Sequence, residues 1–139
     1  FAAEIAEVSM GADNKPIVHK VTCAIDCGWT VNPDAAAAQV ESGIIFGLTA
    51  AMYGEITIEK GRVATDNFPD YEMVRMATAP EIEVHFVESG EKLGGLGEPA
   101  TPPVAAAVSN AIYILTGQRV RELPIRKHDF SEGTPIAQV

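Results

Sequence analysis

Between Asn32 and Gly54 the sequence leaves room for little other than one long helix. Asn32 carries a side-chain oxygen that can cap the first turn, Pro33 falls at the first helical position where no N–H is needed, and Gly54 supplies the stop. Val40, Ile44 and Leu48 recur at i, i+4 and i+8, which predicts a buried stripe along a helix from Pro33 to Tyr53. Gly43 and Gly47 lie on the same helix, with Ala36 and Ser42 nearby. A helical glycine costs about 1 kcal/mol relative to alanine, so two of them imply close approach of another backbone or of a bulky ligand.

A helix of this kind needs a second layer, and the flanking segments supply it. Residues 3–9 and 17–25 read as strands joined by the turn residues Gly11-Ala12-Asp13-Asn14, a β-hairpin in which Ile17, His19, Val21, Cys23 and Ile25 share the more apolar face. Residues 55–59 and 62–64 around Lys60-Gly61 form a second small hairpin, 67–71 and 75–80 are irregular, and 81–87 alternate as a half-buried strand with Ile82, Val84 and Phe86 inward. The glycine-dense run Leu93-Gly94-Gly95-Leu96-Gly97-Glu98-Pro99 then leads into a helix over 102–116, with Thr101 as N-cap, Gly117 past its end, and Val104, Val108, Ile112 and Leu115 as its apolar face. Residues 123–126 add an edge strand, and the tail from Asp129 is extended and polar. The fold class is α+β: β-hairpins packed with a long helix and with a second helix that follows a glycine-rich loop. Residues 1–126 make one domain and 127–139 a C-terminal tail.

Composition narrows the function classes. A chain of 139 residues with 47% hydrophobic and 21% charged side chains builds one core. The net charge of -9 comes from 19 acidic and 10 scattered basic residues, which leaves no footprint for nucleic acid and none for an anionic membrane surface. Apolar runs are short, the longest near Ile44 to Met52 being broken by Gly47 and Thr49, so no membrane insertion is expected. Cys23 and Cys27 would lie about 13 Å apart along a strand, too far for a disulfide, and two thiols are too few for a closed zinc site or an iron–sulfur cluster. His19, His85 and His128 lack metal-ligand spacing and read as structural.

Three residues remain as candidates for chemistry. Glu98 follows the glycine loop and precedes a helix, a place where a carboxylate faces a ligand on a fixed backbone, although a helix N-terminus also favours an acidic residue with no further role. Gln39 offers donor and acceptor groups near the start of the long helix that suit an oxo group or a pterin, and is equally an ordinary surface helix former. Glu41 is open to the same two readings. The glycine loop completes neither a phosphate loop nor a dinucleotide turn, and no nucleophile elbow occurs. From the residues alone the chain is an acidic α+β domain with a possible ligand loop.

Three segments taken in order add a resemblance. They are Ala24-Ile25-Asp26-Cys27-Gly28 through Asn32-Pro33 to Gln39-Val40-Glu41-Ser42-Gly43; Asn67-Phe68-Pro69-Asp70-Tyr71 with Arg75-Met76 and Ala79-Pro80; and Gly94-Gly95-Leu96-Gly97-Glu98-Pro99 with its helix. Over residues 3–125 the chain resembles the C-terminal, molybdopterin-binding part of molybdenum hydroxylase large subunits, the xanthine dehydrogenase and aldehyde oxidase family, in the isoquinoline 1-oxidoreductase and aldehyde dehydrogenase β-subunit branch. The resemblance implies a molybdopterin cofactor, in its plain or cytosine dinucleotide form, and Glu98 as general base in hydroxylating an N-heterocycle or oxidising an aldehyde with water-derived oxygen. It implies Gln39, Gly95 and Gly97 at the cofactor, and electrons leaving to iron–sulfur clusters on a small 2Fe-2S subunit. It places the rest of the large subunit upstream, so that the chain is inactive alone, and the branch favours the periplasm. Ala38 and Ser42, where many members have glycine, and Leu96, where many have valine, depart from the pattern without removing a functional group. A reading of another class is a non-catalytic assembly or interaction domain, with Gly43 and Gly47 as its helix-packing face.

Overall fold

A computed structural model of the chain describes residues 1–136. Strands β1 (Ala2–Met10) and β2 (Pro16–Ile25) pair antiparallel, and strand β5 (Glu81–Phe86) joins the other edge of β2 in parallel, giving the order β1-β2-β5. The hairpin turn closes with Gly11 N–H donating to the Lys15 carbonyl at 2.8 Å, and Asn14 takes a positive φ of 55°, a conformation asparagine tolerates better than most residues. Because β2 and β5 run parallel, their connection must cross over, and it does so through helix α1 (Pro33–Tyr53) and the small hairpin β3 (Ile58–Glu59) and β4 (Arg62–Val63). Helix α2 (Pro103–Thr116) follows β5.

One face of the sheet is the floor of the core. Val21, Cys23 and Ile25 pack there with Val40, Ile44 and Leu48 of α1 and Val104, Val108 and Ile112 of α2. The opposite face is open and charged: Lys20 pairs with Glu81 at 3.3 Å and Glu83 at 2.7 Å, and His85 with Glu83 at 2.9 Å. The expected five-residue apolar face of β2 is only partly correct. Glu7 pairs with Lys20 and Val8 with Val18, so His19 is an extra residue, and this bulge inverts the alternation. Val21, Cys23 and Ile25 point inward, while Ile17 and His19 are exposed and Pro16 is buried in their place.

Helix α1 starts as its sequence dictates, with the Asn32 side chain accepting from Ala35 N–H at 3.1 Å. Its length and composition are in the range of a membrane span, because alanines and glycines bridge the short apolar runs; in this fold its Val40, Ile44 and Leu48 stripe is core. The helix glycines meet the start of α2. A Cβ on Gly47 would lie 2.3 Å from the Thr101 carbonyl oxygen and 2.8 Å from Val104 Cγ1, and one on Gly43 3.3 Å from Thr101 Oγ1. Gly47→Ala is therefore expected to destabilise the fold by about 3 kcal/mol, the upper end for overpacking, since a carbonyl cannot rotate away. A urea midpoint within error of the parent would contradict this contact.

Three expectations about the C-terminal third are corrected. Thr101 does not cap α2: Pro102 holds the cap position with helical backbone, and two consecutive prolines bring no N–H that needs a side-chain acceptor. Thr116, not Leu115, completes the buried stripe, its hydroxyl donating to the Ile112 carbonyl at 2.8 Å. Residues 123–126 form no edge strand; Pro124 offers no ladder N–H, and the chain makes a 3-10 turn, Ile125–Lys127, with Ile125 fully buried. The segment after it is not uniformly polar and extended, since Phe130 joins the core and Ile136 N–H donates to the Ile114 carbonyl at 3.0 Å. The last part of the expected tail, 137–139, lies outside the described residues.

Candidate functional site

The glycine loop, residues 87–98, has neither helix nor strand of its own, and its course is set by hydrogen bonds to other elements. Val87 N–H donates to the Ile25 carbonyl at 2.9 Å and Gly94 N–H to the Cys27 carbonyl at 2.8 Å. The Asp26 carboxylate oxygen Oδ1 accepts from Gly28 N–H and from the Ser89 hydroxyl, both at 2.9 Å. Those two bonds, the Gly28 one foremost, hold the Asp26 carboxyl below the usual carboxylate range. Gly28 has φ 75°, and a Cβ there would stand 2.3 Å from the Lys92 carbonyl oxygen, so the strand-end turn presses directly on the loop. At the far end Gln39 Nε2 donates to the Gly97 carbonyl at 2.8 Å, and Thr101 N–H donates to the Glu98 carbonyl at 2.9 Å.

The structure thus brings together Gln39, Gly97 and, next along the chain, Glu98. Glu98 is exposed on a backbone pinned on both sides. Gln39 uses its amide N–H on the loop, a role the sequence did not suggest. A Cβ on Gly95 or Gly97 would meet nothing within 4 Å, so both glycines border open space. Glu41 does not join this group; it lines a groove of about 640 Å³ with Ile45, Phe46, Tyr71, Pro80 and Ile82, and no residue of the glycine loop lines that groove.

Three residues with polar roles in the fold, Asp26, Ser89 and Glu4, were not singled out in the sequence. Asp26 and Ser89 had one visible signal: Asp-x-Gly at a strand end is a pattern for an aspartate that bonds its own backbone two residues on. Glu4 had none, since it reads as one of several strand carboxylates. It lies directly opposite Cys23 on the inner face of the hairpin, and neither of its carboxylate oxygens has a hydrogen-bond partner among the described residues. Burial pushes Glu4 up to about 7, the Cys23 thiol offsetting only part of that, and burial together with the charge of Glu4 pushes Cys23 up to about 11. Both cysteines are free and buried.

Glu4 has a pH consequence. In the unfolded chain it ionises near 4.5, in the fold near 7, so between those values folding must retain a proton the unfolded chain has lost. The stabilising contribution of neutral Glu4 is complete below pH 4.5 and is lost as pH rises through 7. Glu4→Gln is expected to raise the urea midpoint at pH 8 by more than at pH 5, the difference amounting to about 2 kcal/mol once partial exposure is allowed for. Equal effects at the two pH values would refute a buried, neutral Glu4.

Among the described residues no three His, Cys, Asp or Glu side chains converge to hold a metal ion. His19 Nε2 is 2.6 Å from Ser9 Oγ and His128 Nε2 is 2.7 Å from the Glu122 carbonyl oxygen, so these rings have partners in the chain.

Comparison with known proteins follows the same line. Residues 1–80 match the family described as molybdopterin cofactor-binding domain. The chain is 38% identical over 125 residues to the isoquinoline 1-oxidoreductase subunit beta of Brevundimonas diminuta, covering 89% of this chain and 16% of that protein. It is 35% identical over 118 residues to the putative xanthine dehydrogenase molybdenum-binding subunit XdhA of Escherichia coli, covering 80% of this chain and 16% of that protein. Among solved structures, the aldehyde oxidoreductase of Desulfovibrio desulfuricans superposes with a TM-score of 0.81 at 28% identity, over 96% of this chain and 15% of that one. Quinoline 2-oxidoreductase of Pseudomonas putida superposes with a TM-score of 0.78 at 22% identity, over 86% of this chain and 16% of that one, a likeness of fold. The chain therefore spans about one sixth of the length of these relatives.

Proposed function

The chain belongs to the molybdopterin cofactor-binding domain family of molybdenum hydroxylases, and from that premise we propose that it is the part of a large subunit that presents a general base, Glu98, beside the cofactor. When bound, molybdopterin supplies the redox-active molybdenum centre and the outlet for electrons. The observation that carries the proposal is the Gln39–Gly97 hydrogen bond, which fixes the peptide just before Glu98 while Gly95 and Gly97 keep their outer side clear. A large, flat group fits against such a loop because nothing in the chain fills the space a side chain would occupy. The residues of this chain hold the loop; Glu98, exposed and backbone-fixed, accepts a proton at its carboxylate, the task of a general base.

The names of the relatives support an aldehyde or an N-heterocycle as the substrate of the whole subunit, of which this chain is one part; a small 2Fe-2S subunit that takes the electrons belongs to the same proposal. The cofactor is molybdopterin in its plain or cytosine dinucleotide form. The chain by itself does not turn over substrate. An assembly role through Gly43 and Gly47 loses its surface, since Ala100, Thr101 and Val104 of the same chain already cover those glycines.

The test is elemental analysis and oxidised-pterin fluorescence of the full subunit, made in a host able to synthesise the cofactor. Molybdenum and pterin in stoichiometric amount support the proposal. Their absence from the full subunit overturns it.

A further inference from the structure

We infer that Asp26, at the end of β2, is a positioning residue for the loop that bears Glu98, acting through Ser89 and the Gly28 turn; the inference rests on the reading of Glu98 as base. A loop without regular structure must be ordered against about 1–2 kcal/mol of backbone entropy per residue, so the bonds that fix residues 87–98 decide where Glu98 stands. Main-chain bonds tie the loop at Val87 and Gly94, and Gln39 ties it at Gly97. Between Val87 and Gly94, the Ser89 hydroxyl is held by Asp26 Oδ1. The same oxygen holds Gly28 N–H, so one carboxylate sets the turn and the loop at once. Bonds to an ionised acceptor are roughly twice as strong as neutral ones.

The turn then acts as a template. With Gly28 at φ 75°, its Cα faces the Lys92 carbonyl so closely that a Cβ would stand at 2.3 Å, and Cys27 presents its carbonyl to Gly94 N–H. Loss of the Asp26 carboxylate frees the turn and removes the only bond from Ser89 to another element among the described residues, and the near half of the loop keeps its main-chain bonds and the local Glu91 N–H to Ser89 hydroxyl bond at 3.3 Å. Asp26 is not among the buried residues that hold the sheet to the helices. Its effect on Glu98 is indirect and geometric, and a displacement of about 1 Å at a reacting group costs on the order of a hundredfold in rate.

The experiment uses the full subunit with Asp26→Ala, Asp26→Asn and Ser89→Ala, and reads kcat, KM, molybdenum content and amide hydrogen exchange over 87–98. For Asp26→Ala the expected result is a fall in kcat of roughly tenfold to a hundredfold with KM within about threefold, full molybdenum, and faster exchange confined to the loop and the Gly28 turn. Asp26→Asn, whose amide oxygen can accept the same two bonds, should restore most of the rate, and Ser89→Ala should fall between. Unchanged exchange in Asp26→Ala overturns the clamp whatever Glu98 does. Faster exchange with normal kcat overturns its role in positioning while leaving the base intact, and equal losses in the Ala and Asn variants overturn the geometric account. The base is judged separately, by Glu98→Gln.

Discussion

Glu98→Gln in the full subunit is expected to lower turnover by at least about a hundredfold while molybdenum content stays at the parental level. Glutamine keeps the size and the planar end of the side chain and removes only the ability to take a proton. Glu98 is exposed, and the Gln39 and Thr101 bonds on either side of it are made by the backbone of the loop and not by its carboxylate. The substitution therefore leaves loop and fold in place, and exposed positions of this kind shift stability by less than about 0.5 kcal/mol. The expected kinetic pattern is a loss in kcat and kcat/KM together, the sign of an interaction made in the transition state. Steady-state rates beside metal analysis decide it: near-normal turnover at full molybdenum removes Glu98 from the chemistry, and low turnover at low molybdenum makes it a cofactor contact instead.

The elements of this fold were legible where local chemistry agrees with tertiary need. Asn32-Pro33 and Gly54 bound α1 in the structure as they do in the sequence, and the Val40, Ile44, Leu48 stripe is core. The errors fall where the decisive partner is remote. Alternation in β2 could not reveal the bulge at His19, because a bulge is a property of the pairing with β1. A proline-rich helix start looked in need of a threonine cap, yet the two prolines carry no donors to satisfy. Gly43 and Gly47 announced close approach without saying by what, and it is the Thr101 segment of the same chain. Of the candidate site, Gln39 and Glu98 lie 59 positions apart in sequence and their neighbourhood rests on the Gln39–Gly97 bond, whereas Asp26 and Ser89 share no pattern that a reader could pair.

Gly97→Val separates a cofactor loop from an ordinary one. Gly28, Gly61 and Gly90 take positive φ, a reason for glycine inside the chain itself, whereas Gly95 and Gly97 have no such reason. Gly97 is not among the positive-φ residues, and a Cβ on it would meet nothing within 4 Å, so the described chain alone does not account for the lack of a side chain there. A β-branched residue should be accommodated in this loop at little cost in stability, within about 0.5 kcal/mol. If the clear side of Gly97 belongs to molybdopterin, the two valine methyl groups occupy space the cofactor needs, and the full subunit is expected to retain less than about a tenth of its molybdenum, a loss equivalent to about 1.4 kcal/mol or more in cofactor affinity. Thermal unfolding and metal content measured on the same preparation distinguish the possibilities. Lost molybdenum in an apoprotein as stable as the parental apoprotein places Gly97 at the cofactor. Full molybdenum with lowered stability places it against polypeptide from the rest of the subunit, and with it would go the argument that the loop delivers Glu98 to a bound pterin.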